Sequence, residues 1–330
     1  MLAIQAQEPR AARLAFRARS RRPLAGDVDR ARNEERSLLR AWLMRETAHL
    51  IATDDAGWLL PLFEAGIGER AAGRLVQLGM PLGEQRRALR EVRRWLGDGP
   101  LPRGQLYARL ADRGYEVGAP HVYHLLAIVT SASFACLGPD HGREQTLVLT
   151  EDWIGSLQAP PREDSLAELA RRYLAAYAPA TERDLARWAG LPLRDCRLGF
   201  ERIAGEIAEV RIGGQTALVP RRGRRRAAPG PLARLLGAFD NYNLGYQDRD
   251  FAVHPEGARR IVPGGGVVRP TLTVDGRFVG TWTSKRSGKR LAVSIEPFDG
   301  LDPTWSEPIA AEVEDIGRFE GVVATLGGRT

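Results

Sequence analysis

Residues 165–219 read SLAELARRYLAAYAPATERDLARWAGLPLRDCRLGFERIAGEIAEVRIGGQTALV, and their pattern decides the fold. Over 165–177 apolar residues recur every three or four positions, the period of a helix with one buried face. Thr181 stands where an N-cap belongs, and Gly190 ends the apolar run after it, so a second helix is predicted between them. Pro192 opens a third over 193–203. The period then drops to two over 206–212 and 215–219, with Gly213-Gly214 between, which marks a β-hairpin. Three helices followed by a hairpin is the order of a winged helix.

Working outward, residues 69–160 repeat the plan. A helix is predicted over 82–96, broken by Gly97-Asp98-Gly99-Pro100, and an amphipathic one over 103–113. A third over 121–135 occupies the position that a helix-turn-helix uses for recognition, and residues 144–150 read as a wing strand. His121, Tyr123 and His124 cluster on that third helix, where they suit contact with DNA. They lack a third ligand at metal spacing. Residues 1–68 read as a first unit without its beginning. Pro9 starts a helix running to about Ser20, Asp27 caps a second through Leu38 to Trp42, and 44–51 reads as a strand. Thr53-Asp54-Asp55 caps a further helix. His49, on one face of that strand, has two readings: a catalytic base, or a ring holding the wing in place. Residues 227–330 read as a β-rich module with strands at 270–275, 277–282 and 290–295 and a helix from Asp315 to Leu326. Asp275-Gly276 makes the hairpin turn. The fold class is therefore α+β, with units at 1–68, 69–160, 161–226 and 227–330.

Composition points to an anionic partner. The chain of 330 residues carries a net charge of +7, with a pI near 9.9, and all but two of its cations, Lys285 and Lys289, are arginines. Nucleic acid fits that balance. Basic residues concentrate at Arg221, Arg222, Arg224, Arg225 and Arg226, and again at Lys285, Arg286, Lys289 and Arg290; both runs suit phosphate contact. Cys136 and Cys196 lie far apart in apolar or helical settings and read as reduced core residues. No run of residues has the length of a membrane span. A cytoplasmic, nucleoid-associated monomer with no metal and no cofactor is expected.

Two stretches carry chemistry. In Ile4-Gln5-Ala6-Gln7-Glu8-Pro9, Pro9 keeps the residues before it extended, so Gln5 and Gln7 present their amides to the same side just ahead of a helix. Glu8 fits the cap of that helix. In LLGAFDNYNLGYQDRD (235–250), glycines, acids, tyrosines and an arginine mix without periodicity, a composition common in packed loops that line sites.

These stretches, with AWLMRETAHLIATDDAGWLL and VDGRFVGTW, resemble the winged-helix DNA glycosylases of the AlkZ type. The resemblance covers nearly the whole chain. It implies three tandem winged-helix units and a β-rich C-terminal module in a C shape with a basic concave surface. It implies that Gln5 and Gln7, matching the family's Gln-apolar-Gln motif, carry the catalysis on double-stranded DNA bearing N7-alkylguanine or interstrand crosslinks. Phe239, Asp240, Tyr242, Gly245, Tyr246, Asp248 and Arg249 match the family's second motif, either as site support or as braces between modules. That family has some tens of residues before the first glutamine and this chain has four, so a first unit short of one helix is expected. The alternative function is a winged-helix DNA-binding protein, a regulator or resistance factor, without turnover.

Overall fold

The computed structural model describes residues 1–131, 134–142, 144–212, 214–222 and 231–327. The chain opens with β1 (Ala3–Gln5), α1 (Pro9–Arg17) and α2 (Ala25–Asn33). Next come β2 (Leu38–Trp42), β3 (Ala48–Ala52), the long α3 (Ala56–Gln77) and α4 (Leu82–Leu96). They are followed by β4 (Leu101–Pro102), α5 (Arg103–Asp112), α6 (Ala119–Ser131), β5 (Ala135–His141), β6 (Glu144–Leu149) and the short α7 (Thr150–Ile154). Helices α8 (Arg162–Tyr177), α9 (Glu182–Ala189) and α10 (Leu193–Arg202) lead into the hairpin β7 (Ile207–Ile212) and β8 (Gln215–Pro220). The last third holds β9 (Ala233–Leu236), α11 (Asn241–Leu244), α12 (Pro255–Ile261) and β10 (Thr271–Val274). It closes with β11 (Arg277–Ser287), β12 (Arg290–Pro297), α13 (Ser306–Glu320) and β13 (Val323–Leu326). The class is α+β, and the chain forms two compact units: residues 1–3 with 30–219, and residues 4–29 with 220–330.

The first unit holds a six-stranded sheet in the order β1-β3-β2-β5-β6-β4. The helices and hairpin read from 165–219 are present. Thr181 and Asp184 form a reciprocal capping box at the start of α9, and Gly190 ends it in left-handed geometry, which glycine adopts without the Cβ penalty that other residues pay. Helix α8 crosses α10 so closely that a Cβ at Gly199 would stand 2.6 Å from the Leu166 carbonyl oxygen. Tyr173, Tyr177 and Trp188 pack ring to ring at 4.9–5.4 Å beside that crossing. Gly213 of the hairpin turn lies outside the described residues.

In this part of the chain four local readings change. Leu38–Trp42 is a strand, not the end of a helix: Leu39 and Ala41 are fully buried and their neighbours half-buried, a two-residue period. It pairs antiparallel with β3 from Leu38↔Ala52 to Trp42↔Ala48. Residues 44–46 form a 3₁₀ turn, with Arg45 and Glu46 at φ 54° and 58°, so the strand expected over 44–51 starts at Ala48. The third helix of residues 69–160 stops at Ser131, and Ala135 already pairs in the sheet opposite Leu149. The boundary expected after residue 68 falls inside α3, and the β2–β5 pairing Arg40↔Leu137 joins strands from both sides of it in one sheet.

The second unit is built on a five-stranded sheet, β13-β12-β11-β10-β9. Its neighbours run antiparallel except β12 and β13. Asp275 and Gly276, at φ 51° and 79°, make the two-residue turn between β10 and β11 with both residues left-handed, as a type I′ turn requires. Leu14 of α1 joins Leu235, Leu272, Trp282, Val293, Ile316 and Phe319 in one core. The Trp282 indole N–H donates to the Leu236 carbonyl at 2.8 Å, so its burial leaves no orphan donor. The C-terminal helix starts at Ser306 and stops at Gly321, which is left-handed; residues 323–326, expected as helix, form β13. A smaller core gathers Ala252, Val253, Ile261, Val268 and Phe278, with Phe239 and Tyr242 against it.

Candidate active site

The glutamine stretch is extended, as Pro9 demands. Gln5 ends β1, and Glu8 is the N-cap of α1 at φ −108°, ψ 110°. The Gln5 amide nitrogen donates to the Gln7 amide oxygen at 3.0 Å, so the two side chains lie side by side on one face. Gln5 is buried and Gln7 exposed. One amide is therefore held by protein while its partner meets solvent. Glu8 serves as the cap: its carboxylate accepts from the backbone N–H of Arg10 at 3.1 Å and of Ala11 at 2.5 Å, satisfying two orphan donors of the first turn.

Helix α1 is fixed along its length. Arg17, almost without exposure, donates to Glu312 and Asp315 at 2.8 Å each and to the Leu235 carbonyl at 2.9 Å. Burial opposes the charge on Asp315, but hydrogen bonds and charge from Arg318 and Arg17 outweigh it and hold its pKa below the usual carboxylate range. Arg10 donates to Glu320 at 2.7 Å and Ser284 at 2.9 Å. A Cβ at Gly237 would stand 3.1 Å from the Ala11 Cα, so any larger residue would push the second motif back from the helix by a few tenths of an ångström.

The second motif forms the end of β9, a reversal and α11. Phe239 takes φ 55°, an uncommon conformation for a bulky residue that marks a constrained loop. Asp240, wholly buried, accepts from both terminal nitrogens of Arg19 at 2.6 and 2.8 Å and from the Tyr242 N–H at 2.8 Å. Asn241 accepts the Gln5 backbone N–H at 3.4 Å. The Tyr242 hydroxyl donates to the Gly276 carbonyl at 2.7 Å, and burial raises its pKa. Arg249 donates to the Asn243 carbonyl at 2.7 Å. Tyr246 meets Tyr242 edge-on at 6.3 Å, and Asp248 is exposed. The motif thus braces itself and reaches the glutamine strand through Asn241, which its acids and tyrosines had overshadowed in sequence.

A cavity of about 250 Å³ opens between α1 and the sheet of this unit, lined by Glu8, Arg10, Leu14, Gly237, Pro270 and Trp282 among others. It is somewhat smaller than the ~300–1,000 Å³ typical of sites that engulf a drug-sized ligand, and its lining includes neither Gln5 nor Gln7. On the same unit, Lys285, Arg286, Lys289 and Arg290 are all exposed around the β11–β12 turn. Arg221 and Arg222 are exposed as well, while Arg224, Arg225 and Arg226 lie outside the described residues.

The remaining candidates sit in the first unit. His49 is 1 % exposed, and its Nδ1 donates to the Thr47 carbonyl at 2.9 Å. Burial first, then the Arg45 charge, lower its pKa to about 3. Such a ring is neutral and a poor base. His121 is buried with Nε2 donating to the Leu78 carbonyl at 3.0 Å. Tyr123 is exposed and stands edge-on to Trp42 at 5.5 Å and to His124 at 5.1 Å. Both cysteines are free and buried, and burial pushes each thiol up to about 12, which leaves them unreactive. Among the described residues no group of His, Cys, Asp or Glu is placed to hold a metal ion, and no helix is long and apolar enough to cross a membrane.

Comparison with known proteins adds three findings. The sequence model of the family described as DNA glycosylase AlkZ-like matches residues 1–319. An interstrand DNA cross-link repair glycosylase of Streptomyces sahachiroi is 28% identical over 313 residues, covering 87% of this chain and 80% of that protein. The solved structure of the Streptomyces sahachiroi DNA glycosylase AlkZ superposes with a TM-score of 0.80 at 26% identity, covering 98% of this chain and 90% of that one.

Proposed function

The chain belongs to the AlkZ-like DNA glycosylase family and is a DNA glycosylase that hydrolyses N-glycosyl bonds; from that premise we propose that its substrate is N7-alkylguanine or an interstrand-crosslinked purine in double-stranded DNA, and that Gln5 and Gln7 position the attacking water. The observation that carries the reading is the amide pair at 3.0 Å, one member buried and the other exposed.

The chemistry suits uncharged side chains. Alkylation at N7 makes guanine cationic, so cleavage of the bond from N9 to C1′ sends its electron pair into the ring and the base departs neutral. The sugar passes through an oxocarbenium-like state that needs a water close by and partial negative charge around it. Amide oxygens supply both without titrating. The water oxygen bonds to C1′ and its proton passes to bulk solvent. Positioning of this kind lowers a barrier by several kcal/mol. His49, neutral and buried, serves as scaffold in this reading. The name of the Streptomyces relative supports crosslinked substrates. The reaction is simple hydrolysis, with no Schiff-base step through either lysine. The exposed cations of the β11–β12 turn, with Arg221 and Arg222, make the phosphate contacts of a monomer on duplex DNA.

The test is a duplex holding one N7-methylguanine or one N7 crosslink, with protein below substrate. Several equivalents of free base and an intact abasic strand are expected. Salt-sensitive, stoichiometric binding with no base released would instead establish the non-catalytic DNA-binding protein.

A further inference from the structure

Two consecutive residues of the second motif reach two points of the N-terminal segment. Asp240 grips Arg19 through both guanidinium nitrogens, and Asn241 accepts the backbone N–H of Gln5. Helix α1 spans the interval between those points, capped at its start by Glu8. The strand end that carries Gln5 and the far end of α1 are therefore both referenced to the first turn of α11. We propose that Asn241 is a positioning residue for the glycosylase reaction, holding Gln5 in register with Gln7 through its backbone, with the Arg19–Asp240 ion pair holding Asn241 in place; this rests on the reading of the glutamines as the water-holding pair.

Three features argue for it. Asn241 and Asp240 are buried, and a buried carboxylate is kept only with partners that satisfy it. Phe239 adopts a left-handed backbone immediately before them, and such conformations persist where the surroundings fix them. The Asn241–Gln5 bond, at 3.4 Å, is longer than the usual ~2.7–3.2 Å of an N–H···O bond, as contacts in a catalytic site often are before substrate tightens them. A shift of about 1 Å in a positioned group is enough to cost ~100-fold in rate, so a tether on the Gln5 backbone matters.

The experiment is single-turnover base release from a duplex with one N7-methylguanine, enzyme in excess, with Kd measured in parallel. The amplitude reports the folded, competent fraction and the rate constant reports the chemistry. Asn241→Ala should slow the rate constant at least about tenfold with Kd nearly unchanged. Added to Gln5→Ala it should slow the reaction no further, because both changes remove one function. Asn241→Asp keeps the acceptor oxygen and should recover most of the rate. Arg19→Gln, which leaves Asn241 intact, should slow release several-fold and decides the matter if Asn241→Ala gives no amplitude. Rate constants unchanged in both the Asn241→Ala and Arg19→Gln variants, or losses that multiply between Asn241→Ala and Gln5→Ala, would overturn the positioning role. A fully active Gln5→Ala variant would instead sink the water-holding reading, and the proposal with it.

Discussion

The His49 ring titrates near 3 because it is shut away from water, with Arg45 adding like charge. Its folded pKa lies below its unfolded value near 6.5, so between about 6.5 and 3 the unfolded chain binds the extra proton. Stability conferred by the neutral ring is complete above 6.5 and falls as pH drops, by up to ~1.4 kcal/mol per unit. His49→Gln should therefore flatten the fall in melting temperature between pH 7 and 5 relative to wild type; parallel curves would contradict this. The two readings of His49 in sequence could not be separated there, because burial depends on contacts that a five-residue strand does not announce. The extended backbone of the glutamine stretch was legible for the opposite reason: Pro9 acts on its own neighbours, whereas the role of the two amides was suggested only by the family resemblance. Asn241 was not legible, since its contact with Gln5 spans 236 positions.

Helix α1 shows how one element is held against competing costs. Arg17 is buried with two carboxylates and a carbonyl around it. Breaking a buried pair costs roughly 3–5 kcal/mol; here Glu312 keeps Arg234 and Asp315 keeps Arg318, which places the loss at the low end, about 3 kcal/mol. Arg17→Ala should lower unfolding free energy by that order in denaturant titrations, and base release should fall with it as the glutamine strand loses its anchor. Glu8→Ala, which only uncaps the helix, should cost about 0.5–2 kcal/mol. If the two variants were equally stable, the buried network would not be what fixes the helix. Strongly periodic helices such as α4 over 82–96, and α8 apart from its first three residues, were legible from period alone. Residues 38–42 were not, because five residues cover under two helical turns and apolar content there fits either period. Residues 323–326 are too short for a period to tell strand from helix, and the left-handed Gly321 is what ends the helix before them.

At the scale of the whole molecule, the α+β class and the helix–helix–helix–hairpin run of 165–219 were visible in sequence, whereas the shared sheet of residues 30–150 was not. Strand pairing such as Arg40↔Leu137 is a long-range choice that local composition does not encode. Basic runs were equally visible, and their role is a matter of counting phosphates. Each phosphate contact adds about 0.9 to the slope of log K against log salt on duplex DNA. Replacing Lys285, Arg286, Lys289 and Arg290 together by alanine should lower that slope by about 2–4 and weaken binding alike on damaged and undamaged duplexes. An unchanged slope would remove the β11–β12 turn from the interface.

The central claim is that an amide pair ahead of α1 holds the water that attacks the sugar. Its most direct measurement is the single-turnover release of N7-methylguanine from duplex DNA by wild type and by the Gln5→Ala/Gln7→Ala variant, at matched, saturating occupancy. Release should drop by at least about 100-fold in the variant while DNA affinity stays the same. Equal release by the two proteins would contradict it.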